Sequence, residues 1–87
     1  MSTLAIDVNP RAIQVDTTEQ ELIVTLSDGR TLSVPLVWFP RLLAATAEQR
    51  GNSRLLGDGQ GIHWPDVDED ISVAGLLRGE RAAPPPR

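Results

Sequence analysis

Apolar and polar residues alternate through three stretches in the first half of the chain. In "AIQVD", Ile13 and Val15 fall on one face. In "ELIVTLS", Leu22, Val24 and Leu26 share a face, and Glu21, Thr25 and Ser27 take the other. In "TLSVPL", Leu32, Val34 and Leu36 stand together against Thr31 and Ser33. This period of two predicts strands of an antiparallel sheet with one dry and one wet face.

The same pattern sets the turns. Asp28-Gly29 suggests a two-residue hairpin loop. That loop would set every apolar residue opposite a polar one, because a one-residue slip exchanges the faces. A three-residue loop, Ser27-Asp28-Gly29, with Gly29 left-handed, pairs Val24 with Leu32 and Leu22 with Val34. By the same argument Thr17 to Gln20 form a four-residue loop that pairs Val15 with Leu22. Pro35 has no amide hydrogen, so it belongs on an edge or at a strand end.

After residue 39 the period changes. Pro40 suits a helix's first turn, and "LLAATA" is rich in helix formers. Phe39, Leu43 and Ala47 are spaced to form one apolar stripe. Arg50 and Gly51 mark the stop, which predicts a helix at about 40–50 covering the dry face of the sheet. "LLGDGQGIHWP" predicts a short hairpin at about 54–64, and "DEDISVAGLLRG" a C-terminal helix at about 69–78. The fold class is α+β: a three-stranded antiparallel sheet with a helix over one face, a small hairpin and a short last helix. Residues 12–79 form the domain, 1–11 an N-terminal arm, and 80–87, with three consecutive prolines, a disordered or polyproline II tail.

Size and composition narrow the function. A chain of 87 residues holds one domain with a modest core. It has no cysteine, which excludes disulfides and thiolate metal sites and suits a reducing cytoplasm. No apolar run reaches the roughly 18 residues of a membrane span, and because "MSTLAIDVNPR" has no basic start followed by an apolar stretch, no secretory signal is expected. The net charge is −4, with all eight basic residues arginine. Net acidity argues against direct nucleic-acid binding, which favours a basic face. It is compatible with a partner protein carrying a basic surface.

Candidate chemistry is confined to "GIHWPDVDED". Asp66, Asp68 and Asp70 have the alternate spacing of a calcium loop, but no central glycine or late glutamate follows. Acids just before an apolar helical stretch complement its first turn, and Asp68 is the expected cap. His63, the only histidine, has no second nitrogen or sulfur ligand for zinc. Beside Trp64 it reads as a boundary packing residue. The three glycines of "GDGQG" form a turn, since neither a lysine nor a helix follows as in a phosphate loop. These residues indicate no catalytic group, cofactor or metal.

Four motifs in order closely resemble the bacterial family known as domain of unknown function 2442. They are Asp28-Gly29-Arg30, Trp38-Phe39-Pro40-Arg41-Leu42, His63-Trp64 and Asp68-Glu69-Asp70-Ile71-Ser72, within residues 12–79. The resemblance implies a compact α+β fold. It also implies a gene pair resembling a toxin–antitoxin module, with a small co-encoded protein as partner. Some relatives carry the domain before a helix-turn-helix; here only the proline-rich stretch is expected after Gly79, which puts sequence-specific DNA binding in doubt.

The leading expectation is therefore a non-enzymatic interaction module, the antitoxin-like or regulatory half of a two-protein system. Its candidate surface is Arg30, Trp38, Arg41, His63, Trp64, Asp66, Asp68 and Glu69, since Trp and Arg are common interface anchors. Trp38 and Trp64 have core packing as their competing role. A second reading is nucleic-acid association through Arg30, Arg41, Arg50 and Arg54. A third is a metal-dependent enzyme using His63 and the acids from Asp66 to Asp70. Exposed sheet edges also permit a homodimer.

Overall fold

The structure is a computed structural model that describes residues 10–82. The expected arm at 1–11 and tail at 80–87 lie, apart from residues 10–11 and 80–82, outside the described residues.

The fold is α+β and holds two three-stranded antiparallel sheets. The first has the order β1 (Ala12–Thr17), β2 (Glu21–Leu26), β3 (Thr31–Pro35). Leu22 pairs with Val34 and Val24 with Leu32, as the alternation requires, and Gly29 takes a φ of +94°. A side chain there would occupy the left-handed region at a steric cost. Pro35 ends the edge strand β3.

β1 departs from the prediction twice. Thr17 pairs with Leu22 and Val15 with Val24, two residues beyond the expected register. A shift of two keeps every side chain on its own face, so alternation fixes the pairing only to within two residues. Thr18 makes the tighter turn, its hydroxyl accepting from the amides of Gln20 and Glu21 at 3.1 and 2.9 Å. At the other end Ala12 pairs with Leu26 and Gln14 with Thr25, leaving Ile13 as the extra residue of a bulge. The bulge reverses the phase, so Ala12 is buried while Ile13 is 61% exposed, not beside Val15 on the dry face. The cause is contact with the second sheet: the Ala12 amide donates to the Gly59 carbonyl at 2.8 Å.

The expected helix at 40–50 is broken. A 3-10 turn at Leu36–Trp38 leads into α1 (Pro40–Leu43), and α2 (Ala47–Gly51) follows after a gap. Thr46 causes the break. It is extended, and its hydroxyl accepts from the Gln49 amide at 3.1 Å while the Gln49 side chain accepts from the Thr46 amide at 3.0 Å, a capping box. The buried set is consequently Phe39, Leu42 and Ala45; Leu43, expected in the stripe, is 45% exposed.

The second sheet has the order β4 (Arg54–Leu56), β5 (Gly61–Trp64), β6 (Glu69–Ser72). The first two are the expected hairpin. β6 replaces the first turn of the expected 69–78 helix: Glu69 and Ile71 are buried while Asp70 and Ser72 are exposed, a period of two. The helix is therefore shorter, α3 (Val73–Leu77), and its cap is Ser72, whose hydroxyl accepts from the Gly75 amide at 3.1 Å. Asp68 does not cap it. Asp68 sits in the β5–β6 turn at φ +51°, a conformation to which Asp is better suited than most residues.

Both sheets feed one core. Leu22, Val24, Leu26 and Val34 come from the first, Ile62, Trp64 and Ile71 from the second, and Leu36, Phe39 and Leu42 from the segment between. Val73 and Leu76 of α3 complete it. Among the described residues no helix is long and apolar enough to cross a membrane.

Candidate functional site

The β5–β6 turn gathers the largest share of the candidate residues. Strand pairing sets Trp64 opposite Glu69 on the inner face and His63 opposite Asp70 on the outer face. Pro65 and the left-handed Asp68 reverse the chain between them. Arg41, at the start of α1, reaches across: its Nη1 donates to the Asp68 carbonyl at 2.7 Å and stands 3.8 Å from the Glu69 carboxylate. Arg41 thereby holds the turn while its side chain stays 63% exposed.

Glu69 is buried, and desolvation raises its carboxyl above the ordinary glutamate range. Arg41 opposes that shift, whereas the charges of Asp70 and Asp68 add to it. His63 Nδ1 lies 2.6 Å from Asp70 Oδ1 on the outer face. Asp66 accepts from the Asn52 side chain at 3.0 Å. The carboxylates of Asp66, Glu69 and Asp70 thus face different partners, Asn52, Arg41 and His63, and among the described residues no three His, Asp or Glu side chains are grouped to hold a metal ion.

Trp64 is fully buried, and its indole N–H donates to the Arg50 carbonyl at 3.0 Å. It supports the turn from beneath and offers no contact surface. Trp38 is half-buried, and Arg81 lies over its ring, 4.4 Å from the centroid. Arg30 sits apart, in the β2–β3 turn. Its amide donates to Asp28 Oδ1 at 3.1 Å and its guanidinium to Oδ2 at 2.9 Å, and these hydrogen bonds hold the Asp28 carboxyl below the ordinary aspartate range. The nucleic-acid quartet is not one face either. Arg50 is buried, its guanidinium donating to the carbonyls of Leu42 and Ala45 at 3.2 and 2.5 Å.

Arg41, Asp68 and Glu69 therefore form one constellation, with Asp66 in the same turn and His63 on the sheet beside it. Arg81 went unpredicted because it falls in the stretch expected to be tail. The role of Arg50 was equally hidden: a buried arginine capping two carbonyls has the same local sequence as an exposed one at a helix end.

A crystal structure of a protein of unknown function from Rhodospirillum rubrum is similar, with 33% identity and a TM-score of 0.74, covering 85% of this chain and 92% of that one. A solution NMR structure of an uncharacterized protein from Chromobacterium violaceum matches with 25% identity and a TM-score of 0.72, covering 84% of this chain and 69% of that one. No curated protein matches. The family described as "Protein of unknown function (DUF2442)" matches residues 12–82, a span that takes in both sheets, the Arg41 turn and the segment over Trp38, and the chain belongs to that family.

Proposed function

We propose that this domain is a non-enzymatic protein-interaction module, the antitoxin-like or regulatory half of a two-protein bacterial system. It acts in the cytoplasm on a small co-encoded partner. The observation that supports this reading is Arg41, an exposed guanidinium already tied to the Asp68 carbonyl. Arginine is a frequent interface anchor. One held in place before binding avoids much of the ordering cost, about 0.5–1.5 kcal/mol for a long side chain. The neighbouring charges of Asp66 and Asp68 add the alternating signs that fix a partner's register.

The test is affinity capture with the tagged full-length protein from its native lysate, followed by mass spectrometry and calorimetry with the recovered protein. One small co-encoded protein is expected. Arg41→Ala should weaken its binding at least tenfold. Asp68→Asn, which keeps the left-handed turn because Asn adopts it readily, should weaken it less. Failure to recover a co-encoded protein, or unchanged affinity in both variants, rejects the reading.

A further inference from the structure

Beyond α3 the chain turns back on itself. The amides of Gly79 and Glu80 donate to the carbonyls of Leu76 and Gly75 at 3.0 and 2.9 Å, a Schellman closure. Glu80 then folds over the helix: its Oε2 accepts from Arg78 Nε at 2.8 Å, and its Oε1 stands 2.7 Å from where a Cβ on Gly75 would be. Arg81 follows onto the Trp38 ring, and the Ala82 amide donates to the Trp38 carbonyl at 3.1 Å. Residues 80–82 thus form a strap beside a cleft of about 130 Å³, which they line together with Phe39, Ile71 and Leu76.

Two features separate this strap from the sheets. Among the described residues its hold on Trp38 is one backbone hydrogen bond and one cation–ring contact, the half-buried Ala82 packs at the edge of the core, and the Arg78–Glu80 ion pair is exposed. Exposed pairs and single cation–ring contacts are weak. The cleft it flanks is walled by the buried Phe39, Ile71 and Leu76 together with the polar side chains of Glu69, Asp70 and Ser72. A wall of apolar and acidic side chains beside a half-buried tryptophan, whose carbonyl accepts from the strap's Ala82 amide, suits an extended basic segment.

We propose that residues 80–82 are the built-in occupant of a docking groove along Trp38. Its external ligand is an extended segment of the partner protein, carrying an arginine or lysine for the Trp38 ring and a backbone amide for the Trp38 carbonyl. The strap itself defines that chemistry, because it makes both contacts from within the chain. The inference rests on the interaction-module reading and adds where the partner binds and with which groups. The strap opens by rotation at Gly79, and the partner's segment replaces it contact for contact.

The test uses the full chain and Arg81→Ala, whose folding is checked by an unperturbed Trp64 indole signal. Native-state hydrogen exchange should show the Ala82 amide exchanging at least a hundredfold faster than the protected amides of β5 and β6. An end-blocked peptide copying residues 79–82 is then titrated while the Trp38 indole signal is followed. Saturable shifts are expected in Arg81→Ala. Binding should be at least fivefold weaker when the peptide's arginine is replaced by alanine, and at least fivefold weaker to the wild-type chain, whose own strap competes. Exchange of Ala82 only together with the β5 and β6 amides would overturn the proposal. So would peptide shifts that ignore the arginine, or their absence at millimolar peptide. A concentration-dependent dimer that exchanges straps would assign the groove to a second copy and overturn a partner segment. None of these readouts needs the cellular partner, so a failed capture experiment leaves the groove standing, and a failed titration leaves the module reading standing.

Discussion

Trp64 and Arg50 hold each other at the junction of the two halves of the fold. The indole N–H donates to the Arg50 carbonyl at 3.0 Å, and the Arg50 guanidinium turns back to the carbonyls of Leu42 and Ala45. One residue thereby satisfies the end of α1, the gap before α2 and the only polar atom of a buried tryptophan side chain. An arginine is suited to this, since its several donors are arranged in a fixed fork.

Replacing Arg50 with Ala leaves two carbonyls without that donor and opens space beside the core. The expected loss is about 2–4 kcal/mol, read as a lowered urea midpoint at unchanged slope. Arg50→Met restores much of the volume but none of the hydrogen bonds, so it should recover less than half. A loss below about 1 kcal/mol for Arg50→Ala would mean that the carbonyls find water instead.

The break between α1 and α2 depends on Thr46. Thr46→Ala removes the acceptor for the Gln49 amide and should cost about 0.5–2 kcal/mol, whereas Thr46→Ser should stay close to wild type. Thermal or chemical unfolding of the three proteins decides it. If Ala and Ser variants are equally stable, the capping box is not what positions α2.

These two residues also show how far a sequence alone reaches. The Thr-x-x-Gln spacing of the capping box is written in the chain, and reading it would have split the 40–50 helix correctly. The Leu22–Val34 and Val24–Leu32 pairs were legible because alternation and loop length pointed to the same register. The β1 register was not, since parity is blind to a shift of two and a bulge erases parity altogether. β6 was hidden for another reason. "EDIS" has acids where a helix favours them, and only its pairing with "GIHW" makes Glu69 and Ile71 face inward. In the candidate site, Arg41 and the acids of the turn could be named in advance. That Arg41 binds a backbone carbonyl, that Trp64 is buried and that Arg81 covers Trp38 all depend on contacts between distant segments.

Glu69 gives the domain a pH dependence whose sign follows from burial. Its folded pKa is raised, so the folded state holds this proton at pH values where the unfolded chain has released it. The associated stability is fully present below the unfolded pKa of about 4.3 and is lost as pH rises through the folded value. Glu69→Gln removes this dependence. Measured against the variant, the wild type should therefore lose stability as pH climbs from about 4 towards neutrality. A difference that stays constant with pH would show that Arg41 cancels desolvation at this carboxyl, and one of opposite slope that Arg41 outweighs it.

The contact between β1 and the β4–β5 turn makes the final prediction, and it runs against the hydropathy of the residues involved. Ile13 is a large apolar residue in a strand, yet the bulge turns it to solvent, so Ile13→Thr should change stability by no more than about 0.5 kcal/mol. Gly59 is the smallest residue, yet its φ is +103° and a Cβ there would overlap the Ala12 carbonyl oxygen, far inside van der Waals contact. Both atoms of that clash are close to backbone, so no side chain can move aside. Gly59→Ala should cost about 3 kcal/mol or more, from strain and from loss of the Ala12 to Gly59 hydrogen bond. Paired urea titrations of the two variants give the answer. If Ile13→Thr were the more damaging, the bulge would be absent in solution, and Ile13 would lie beside Val15 on the dry face.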